Sequence, residues 1–426
     1  MNILLVNYGQ ADNNSAYHIL GFARGLTARG HDVCVAVAKS VPDGEFERRD
    51  GFRLASQRTV LKLGPGFANR KPADVLHLWT PRETMRQFAM AYRTAWRYGA
   101  LVVHLEDNEE AIFERFTGHS IAKAIAADQS WPKGLIHPGY YRDFLESAQG
   151  ATLVHGCLGP LVPEGMPSQE IVPIMDEAFI SDGSRDREQR RRLGITDACQ
   201  VVVFNGNDHA AAAMDIRQLY EAIDLLIERG RDVTFVRTGH VLPANYDGLQ
   251  FRPGPRCHEL GFIPRGEVPA IMRMADVVIQ PGDGDMFNSY RLPAKVPEYL
   301  SMGKPLIMGT GNIGHELAAD RAAFVLPRMD PHSMADCVEW VLNHPHEAAT
   351  IGSRGSRFAQ KRFNESVVIS ALEAFYEKVS KPRSLPPSTS AVPGAHPTSG
   401  YPSAGDGHTR QPGADKEPRG ARVVQG

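Results

Sequence analysis

At 426 residues the chain exceeds what one hydrophobic core usually serves, so two domains are the first expectation. Lys+Arg 47 against Asp+Glu 49 gives a net charge of -2, which argues against a strongly basic polyanion-binding chain, and 42% apolar with 23% charged residues is ordinary globular composition. Five scattered cysteines (Cys34, Cys157, Cys199, Cys257 and Cys337) form no C-x-x-C pair, so they suggest neither a disulfide framework nor a zinc site and suit a reducing cytoplasm.

"MNILLVNYG" lacks the charged start and long apolar run of a signal peptide, and no later stretch approaches the roughly 18 apolar residues of a membrane span. It reads as a first buried strand. "SAYHILGFARGLTARG" follows, with Ala16, Ile19, Leu20, Ala23 and Leu26 on one helical face, Asn14 or Ser15 as cap and Gly30 as stop. "DVCVAVA" then completes a βαβ unit. The pattern continues through "DVLHLW" (74 to 79), a helix from about Arg82 to Arg97, "ALVVHL" (100 to 105) and "ATLVHG" (151 to 156). Strands that are apolar throughout and separated by helices imply a parallel sheet covered on both faces.

Between 172 and 195 the chain changes character, with a charge run from Arg185 to Arg192. Without interleaved aromatics, that run reads as a solvated linker helix rather than a nucleic-acid patch. A second series begins at "QVVVFNG" (200 to 206) and runs through "DVTFVRTG" (232 to 239), "ADVVIQP" (275 to 281), "PLIMG" (305 to 309) and "AAFVLP" (322 to 327). The expected architecture is α/β: a Rossmann-like domain over 1-180, a second over 181-364, and an amphipathic helix at 365-380 that packs back on the first. The Pro, Ser, Gly and Thr-rich stretch 381-426 reads as disordered, because it has too little apolar surface to offset the entropy of ordering.

Two such domains turn the carboxyl ends of their strands toward a shared cleft, where open α/β sheets bind ligands. The first loop, "NYGQADNNS", keeps only Gly9 of a dinucleotide fingerprint, and no Walker lysine motif occurs. The segment "PGDGDMFNSYRLPAKVPEYLSMGKPLI" (281 to 307) offers more. Asp283 and Asp285 form a D-x-D pair, a metal-diphosphate signature in some transferases. Next comes a helix expected to start near Pro293 and stop at Gly303. Arg291 and Lys295 lie at its N-terminus, where free backbone N-H groups favour phosphate. Glu298, one turn in, could accept hydrogen bonds from two adjacent hydroxyls, as on a ribose. The plainer alternative is a first-turn glutamate serving the helix dipole, with two solvated cations.

"PAKVPEYLSMGKPLIM" resembles the donor-binding signature of group 1 glycosyltransferases (family 4, GT-B fold). "VPIMDEAF" (172 to 179) is similar to that family's hinge, and "ELGFIPRGEVPAIMRMADVVIQP" to its run of Gly, acidic helix start and A-D-V strand. The resemblance covers nearly everything from Met1 to about Ser380. It implies a GT-B fold and retaining, metal-independent transfer of a sugar from a nucleotide diphosphate-sugar, with no cofactor beyond that donor. The implied acceptor is a sugar, a lipid-linked or a small molecule. It also points loosely to cell-envelope or exopolysaccharide assembly, in the cytoplasm with contact at a membrane surface and no nucleic-acid partner. Glu298 would bind the ribose, Lys295 and Arg291 the diphosphate, and Gly9 would belong to the donor side.

Two departures stand out. The family's first acid falls at Tyr290, leaving Asn288 or Asp285 to replace it, and the Arg/Lys pair expected after "VVVFN" is absent, with Arg237 as replacement. In the first domain "LVVHLEDNEEAIFERF" ends a strand with His104, Glu106, Asp107 and Glu109. His104, Glu106 and Asp107 are the catalytic candidates, the latter two preferred for orienting or deprotonating the acceptor; alternatively Asp107 or Asn108 caps the next helix. His77 and Trp79 end the neighbouring strand and read as a satisfied core His and a packed Trp, or as cleft lining. A sugar-nucleotide 2-epimerase and a non-catalytic nucleotide-sugar-binding protein are the other readings compatible with this architecture.

Overall fold

A computed structural model of the chain describes residues 1-127, 129-181, 185-207, 213-240, 256-285 and 288-381. The expected tail, from residue 382 on, lies outside them.

The first sheet is built from β1 (Asn2–Val6), β2 (Asp32–Val37), β3 (Phe46–Arg49), β4 (Phe52–Ser56), β5 (Ala73–Trp79), β6 (Tyr98–Leu105), β7 (Gly150–Leu153) and β8 (Ser168–Glu170). Its spatial order is β3-β4-β2-β1-β5-β6-β7-β8, parallel except for the β3/β4 hairpin. The second sheet holds β9 (Gln200–Asn205), β10 (Val233–Thr238), β11 (Cys257–Glu259), β12 (Val277–Gln280), β13 (Leu306–Gly309) and β14 (Phe324–Leu326), ordered β11-β10-β9-β12-β13-β14 and parallel throughout. In each sheet the winding direction reverses beside the first strand, between β1 and β5 and between β9 and β12. Crevices at such reversals are where α/β sheets hold ligands.

The helices of the first half are α1 (Asn14–Ala28), α2 (Gln57–Leu63), α3 (Glu83–Ala95), α4 (Glu109–Thr117), α5 (Ile121–Ala126) and α6 (Tyr141–Glu146). Those that follow are α7 (Arg187–Arg192), α8 (Ala213–Glu228), α9 (Val268–Arg273), α10 (Val296–Ser301), α11 (Gly314–Ala319), α12 (Pro331–Asn343), α13 (Pro345–Arg362) and α14 (Glu365–Ser380). The sequence reading did not anticipate the β3/β4 hairpin or the α4 to α6 excursion between β6 and β7. The excursion has a small core of its own, made by Phe113, Ile121, Ala124, Ile136 and Tyr141 with Trp131 and Leu135 against it.

α7 is the expected helix, with Arg187, Glu188, Arg191 and Arg192 exposed, and only Arg190 departs from a solvated linker. Arg190 is fully buried and donates to the carbonyls of Met274 (2.6 and 2.9 Å) and Cys199 (2.9 Å) and to Asp276 (2.8 Å). It satisfies buried backbone acceptors, which would be costly left alone.

α14 returns to the first sheet. Asn364 caps its start by accepting from the Val367 N-H, and Val368, Ile369, Leu372, Phe375, Tyr376 and Val379 form the buried face at helical spacing. Gly25, in the middle of α1, makes this docking close: a Cβ there would sit 2.6 Å from Ile369 Cγ1. The Tyr376 hydroxyl reaches the core, 2.6 Å from Nδ1 of His77, whose Nε2 is 2.8 Å from the Thr152 hydroxyl. His77 is therefore the satisfied core histidine.

Candidate active site

The second-domain wall of the cleft is set by the end of β9. Asn205 donates its N-H to the Tyr299 hydroxyl (2.9 Å), and that hydroxyl donates back to the Asn205 carbonyl (3.0 Å), fixing α10 against the strand. The helix starts three residues later than the sequence suggested, with Pro297 in its first turn and Lys295 at the cap position. Glu298 then faces the cleft. Its Oε1 accepts from Arg265 Nη1 (2.8 Å), and Oε2 lies 3.4 Å from Asn205 Nδ2. Burial pushes the Glu298 carboxyl up, while Arg265 and Lys295 pull it down. Burial likewise lowers Lys295 to about 8, with Glu298 opposing and Arg291 and Arg265 adding to the drop.

Arg265 precedes α9 and was not singled out by the sequence. It donates to Asp176 (2.8 Å) and lies over the rings of Tyr17 (4.5 Å) and Phe179 (5.1 Å). The hinge acid and hinge aromatic therefore hold the same guanidinium that reaches Glu298. Lys295, Glu298, Arg265, Asp176 and Asn205 line one cavity of about 350 Å³ between the two sheets, with Tyr17, His18 and Arg24 of α1 opposite.

Adjoining it is a cavity of about 620 Å³ on the first-domain side, lined by Tyr8, Ser15, Arg82, Glu106 and Asp107 and closed from the second domain by Arg291 and Leu292. Asn14, His18 and Ala294 line both cavities, so the two lie side by side. Glu106, the first residue past β6, is tightly held. Its Oε2 accepts from the Ser15 hydroxyl (2.6 Å), its Oε1 from the Trp79 indole N-H (3.0 Å), and His18 Nδ1 lies 3.7 Å away. Burial opposes its ionisation, but His18, His104 and Ser15 together hold it at about 2. A carboxylate so saturated is suited to orient His18 rather than to take a proton. Asp107 is different: burial lifts it to about 7, with Arg291 resisting and Glu106 and Glu109 adding to the rise. Arg82 is bound by both oxygens of Glu109 (2.9 and 3.0 Å) and lies 4.4 Å over the Tyr8 ring.

Four expectations are corrected. His104 does not reach the cleft; it is 1% exposed, hydrogen-bonded to the Thr152 hydroxyl (2.8 Å) and stacked on Trp79 at 4.2 Å, and burial lowers it to about 3. Arg237 is fully buried and donates to the carbonyls of His240 (3.1 Å) and Gly206 (3.3 Å) and to Glu259 (3.2 Å), so it shapes the loop after β9 instead of replacing the missing donor cations. Gly9 lines neither cavity; its N-H donates to Asn7 Oδ1 (3.3 Å), its carbonyl accepts from the Ala38 N-H (2.8 Å), and a Cβ there would strike Asn13. Asn288 also lines neither cavity; its N-H donates to Asp285 Oδ1 (2.7 Å) and its carbonyl accepts from Asn312 (3.2 Å).

The D-x-D carboxylates are turned to main chain. Asp283 accepts from the Met329 N-H (2.6 Å) and Asp285 from that of Asn288 (2.7 Å), with Arg115 of α4 at 3.9 Å from Asp285. Among the described residues no cluster of three His, Cys, Asp or Glu could hold a metal. Tyr290, at the place of the family's first acid, is half-buried against the core.

Two Rossmann-like sheets whose strand ends face one cleft define the GT-B class. In agreement, the chain superposes on the sucrose-phosphate synthase of Thermosynechococcus elongatus (TM-score 0.64, 13% identity, 89% of this chain and 99% of that one). It matches the Anabaena Alr3699/HepE protein solved with UDP and glucose (0.63, 15%, 89% and 100%) and the catalytic domain of Arabidopsis thaliana starch synthase IV bound to ADP and acarbose (0.62, 12%, 89% and 99%). No curated protein matches the chain in sequence. Residues 199-344 match the family model described as "Glycosyl transferases group 1". Residues 199-344 thus carry a group 1 glycosyltransferase domain, and the chain around them has the GT-B fold.

Proposed function

We propose that the protein belongs to family 4 and moves a sugar, with retention of anomeric configuration and without an essential metal, from a nucleotide diphosphate-sugar to an acceptor hydroxyl in the first-domain cavity. The observation that carries this reading is the meeting of Glu298, Lys295 and Arg265 with the α1 wall in one cavity, beside a second that Glu106 and Asp107 line. Glu298 takes the ribose diol, and Lys295 and Arg291 neutralise the departing diphosphate. The engagement of one oxygen each of Asp283 and Asp285 by main-chain N-H groups supports metal independence.

In the transfer, the acceptor oxygen bonds to the anomeric carbon on the face the diphosphate leaves. The electrons of the broken carbon-oxygen bond stay with the diphosphate, which also receives the acceptor proton. His18, set by Glu106, and Asp107 hold the acceptor hydroxyl in line, so catalysis is positioning plus charge stabilisation. UDP and ADP in the similar structures make these the first nucleotides to try. The reading suits a cytoplasmic enzyme, and no helix among the described residues is long and apolar enough to cross a membrane.

The test is a thermal-shift screen against UDP-, GDP-, ADP- and TDP-sugars, followed by product analysis by NMR with and without EDTA. Expected are one stabilising donor family, nucleotide diphosphate release that depends on acceptor, and EDTA-insensitive formation of the donor's own anomer. A donor sugar altered without any acceptor would instead make the protein an epimerase. Binding with no release across a broad acceptor panel would make it a sensor.

A further inference from the structure

We infer that the acceptor is a phosphate-free amphiphile, its reacting hydroxyl borne next to an apolar aryl or alkyl group. This rests on the transfer reading above and names the substrate class of its acceptor cavity. The two ends of that cavity differ in chemistry. The inner end, where it meets the donor cavity, is acidic: Glu106 and Asp107 face it, and Glu109 stands behind them. Of its cations, Arg82 is bound by Glu109 through both carboxylate oxygens, and Arg291 faces Asp107 from the second domain. A phosphorylated sugar reaching in would place its dianion against the ionised Glu106, with Arg82 held by Glu109 and Arg291 committed to the donor diphosphate, which Coulomb repulsion and desolvation both disfavour. Hydroxyls, by contrast, are what acidic acceptors recognise.

The outer end is apolar. Ile112, Phe116, Pro132 and Leu135 line it from the excursion between β6 and β7, and Leu292 faces them from the second domain. Phe116 is 63% exposed although Phe113, one turn earlier in α4, is fully buried in the excursion's own core. The excursion is thus held together without Phe116, whose ring stands at the cavity wall with apolar neighbours and solvent. Apolar walls with a few convergent polar groups at one end are the usual form of a site for a small amphiphile, and about 620 Å³ is within the range of such sites. Asn14, His18 and Ala294, which line this cavity and the proposed donor cavity alike, set the two side by side, and that adjacency is what assigns this space to the acceptor.

The experiment uses the full chain with its best donor at saturation. Nucleotide diphosphate release is followed with three matched acceptor sets: phenyl and hexyl hexosides, the parent hexoses, and their 6-phosphates. Expected is a kcat/KM at least about tenfold higher for the phenyl or hexyl hexosides than for the parent hexoses, as one buried apolar group can give, with the 6-phosphates poorest. Phe116→Ser should raise KM for the apolar hexosides and collapse that ratio, Phe116→Leu should restore much of it, and neither should change the donor Kd measured by calorimetry. Equal or better use of parent hexoses or 6-phosphates overturns the inference, as does a ratio that Phe116→Ser leaves intact. Donor binding that persists in either case leaves the transfer reading standing, whereas absent donor binding removes both.

Discussion

Replacing Glu298 by Gln probes the donor side with the least change of shape. The carboxylate faces the cavity with Oε1 against Arg265 and Oε2 toward Asn205, and as proposed it accepts both hydroxyls of the ribose. Hydrogen bonds to a charged acceptor are worth about 1.5–3 kcal/mol and to a neutral one about 0.5–1.5 kcal/mol. Two hydroxyls therefore lose about 2–3 kcal/mol together, or a donor Kd about 30- to 150-fold weaker. The fold should tolerate the change. Arg265 keeps Asp176 and its two rings, and a partly exposed ion pair contributes under about 1 kcal/mol. Calorimetry would compare the ribonucleotide donor with its 2′-deoxy analogue on both proteins. The analogue should bind the native protein poorly, and the variant should scarcely distinguish the two. A variant that binds donor as tightly as the native protein, or that discriminates against the 2′-deoxy analogue just as strongly, would refute the ribose assignment.

The remaining predictions concern charge. Lys295 is lowered to about 8, so its ammonium is present below that pH and lost above it; donor Kd should rise by up to about tenfold per unit from pH 8 upward, and Lys295→Met should bind weakly with a flat profile. Glu106 accepts from Ser15 and Trp79 beside His18, and Gln would turn its amide group onto a donor; Glu106→Gln should cost about 1–3 kcal/mol in thermal unfolding and lower kcat. Because Glu106 acts through His18, the Glu106→Gln/His18→Ala double variant should be no slower than the slower single variant; additive losses in kcat would separate the two residues.

Much of the fold was legible because parallel strands are buried on both faces and appear as unbroken apolar runs, as in "NILLV" and "QVVVF". The hairpin at 46 to 56 escaped notice because its first strand, "FERR", is a charged edge without the apolar alternation that marks a half-buried strand. At the site, Glu298 and Lys295 were found because one helix start carries both. Arg265 and His18 were not, since they come from a turn and a helix far off in sequence and meet the cleft only through the tertiary fold. His104 and Arg237 were misassigned for a shared reason. Both still lie inside their strands, where Thr152 binds and Trp79 covers the His104 ring, and the carbonyls of Gly206 and His240 accept from Arg237. Glu106, the first residue beyond its strand, reaches the opening. No Arg/Lys pair follows "VVVFN" in the sequence, but position alone could not show that Arg237 is buried.

The return of α14 to the first sheet affects how this protein can be divided or recombined. The half built on the first sheet is not continuous in the chain: about 180 residues from the start need the sixteen of α14 to be complete. A piece cut near residue 180 would bare the surface that Ile369, Leu372, Phe375 and Tyr376 cover, and would leave His77 without its tyrosine partner. At about 1.5–3 kcal/mol for each large apolar side chain, that loss rivals the whole stability of a small domain. Exchange of the first domain between such proteins would therefore have to carry two separate stretches of chain together, and α14, which lines neither cavity, would be inherited with it.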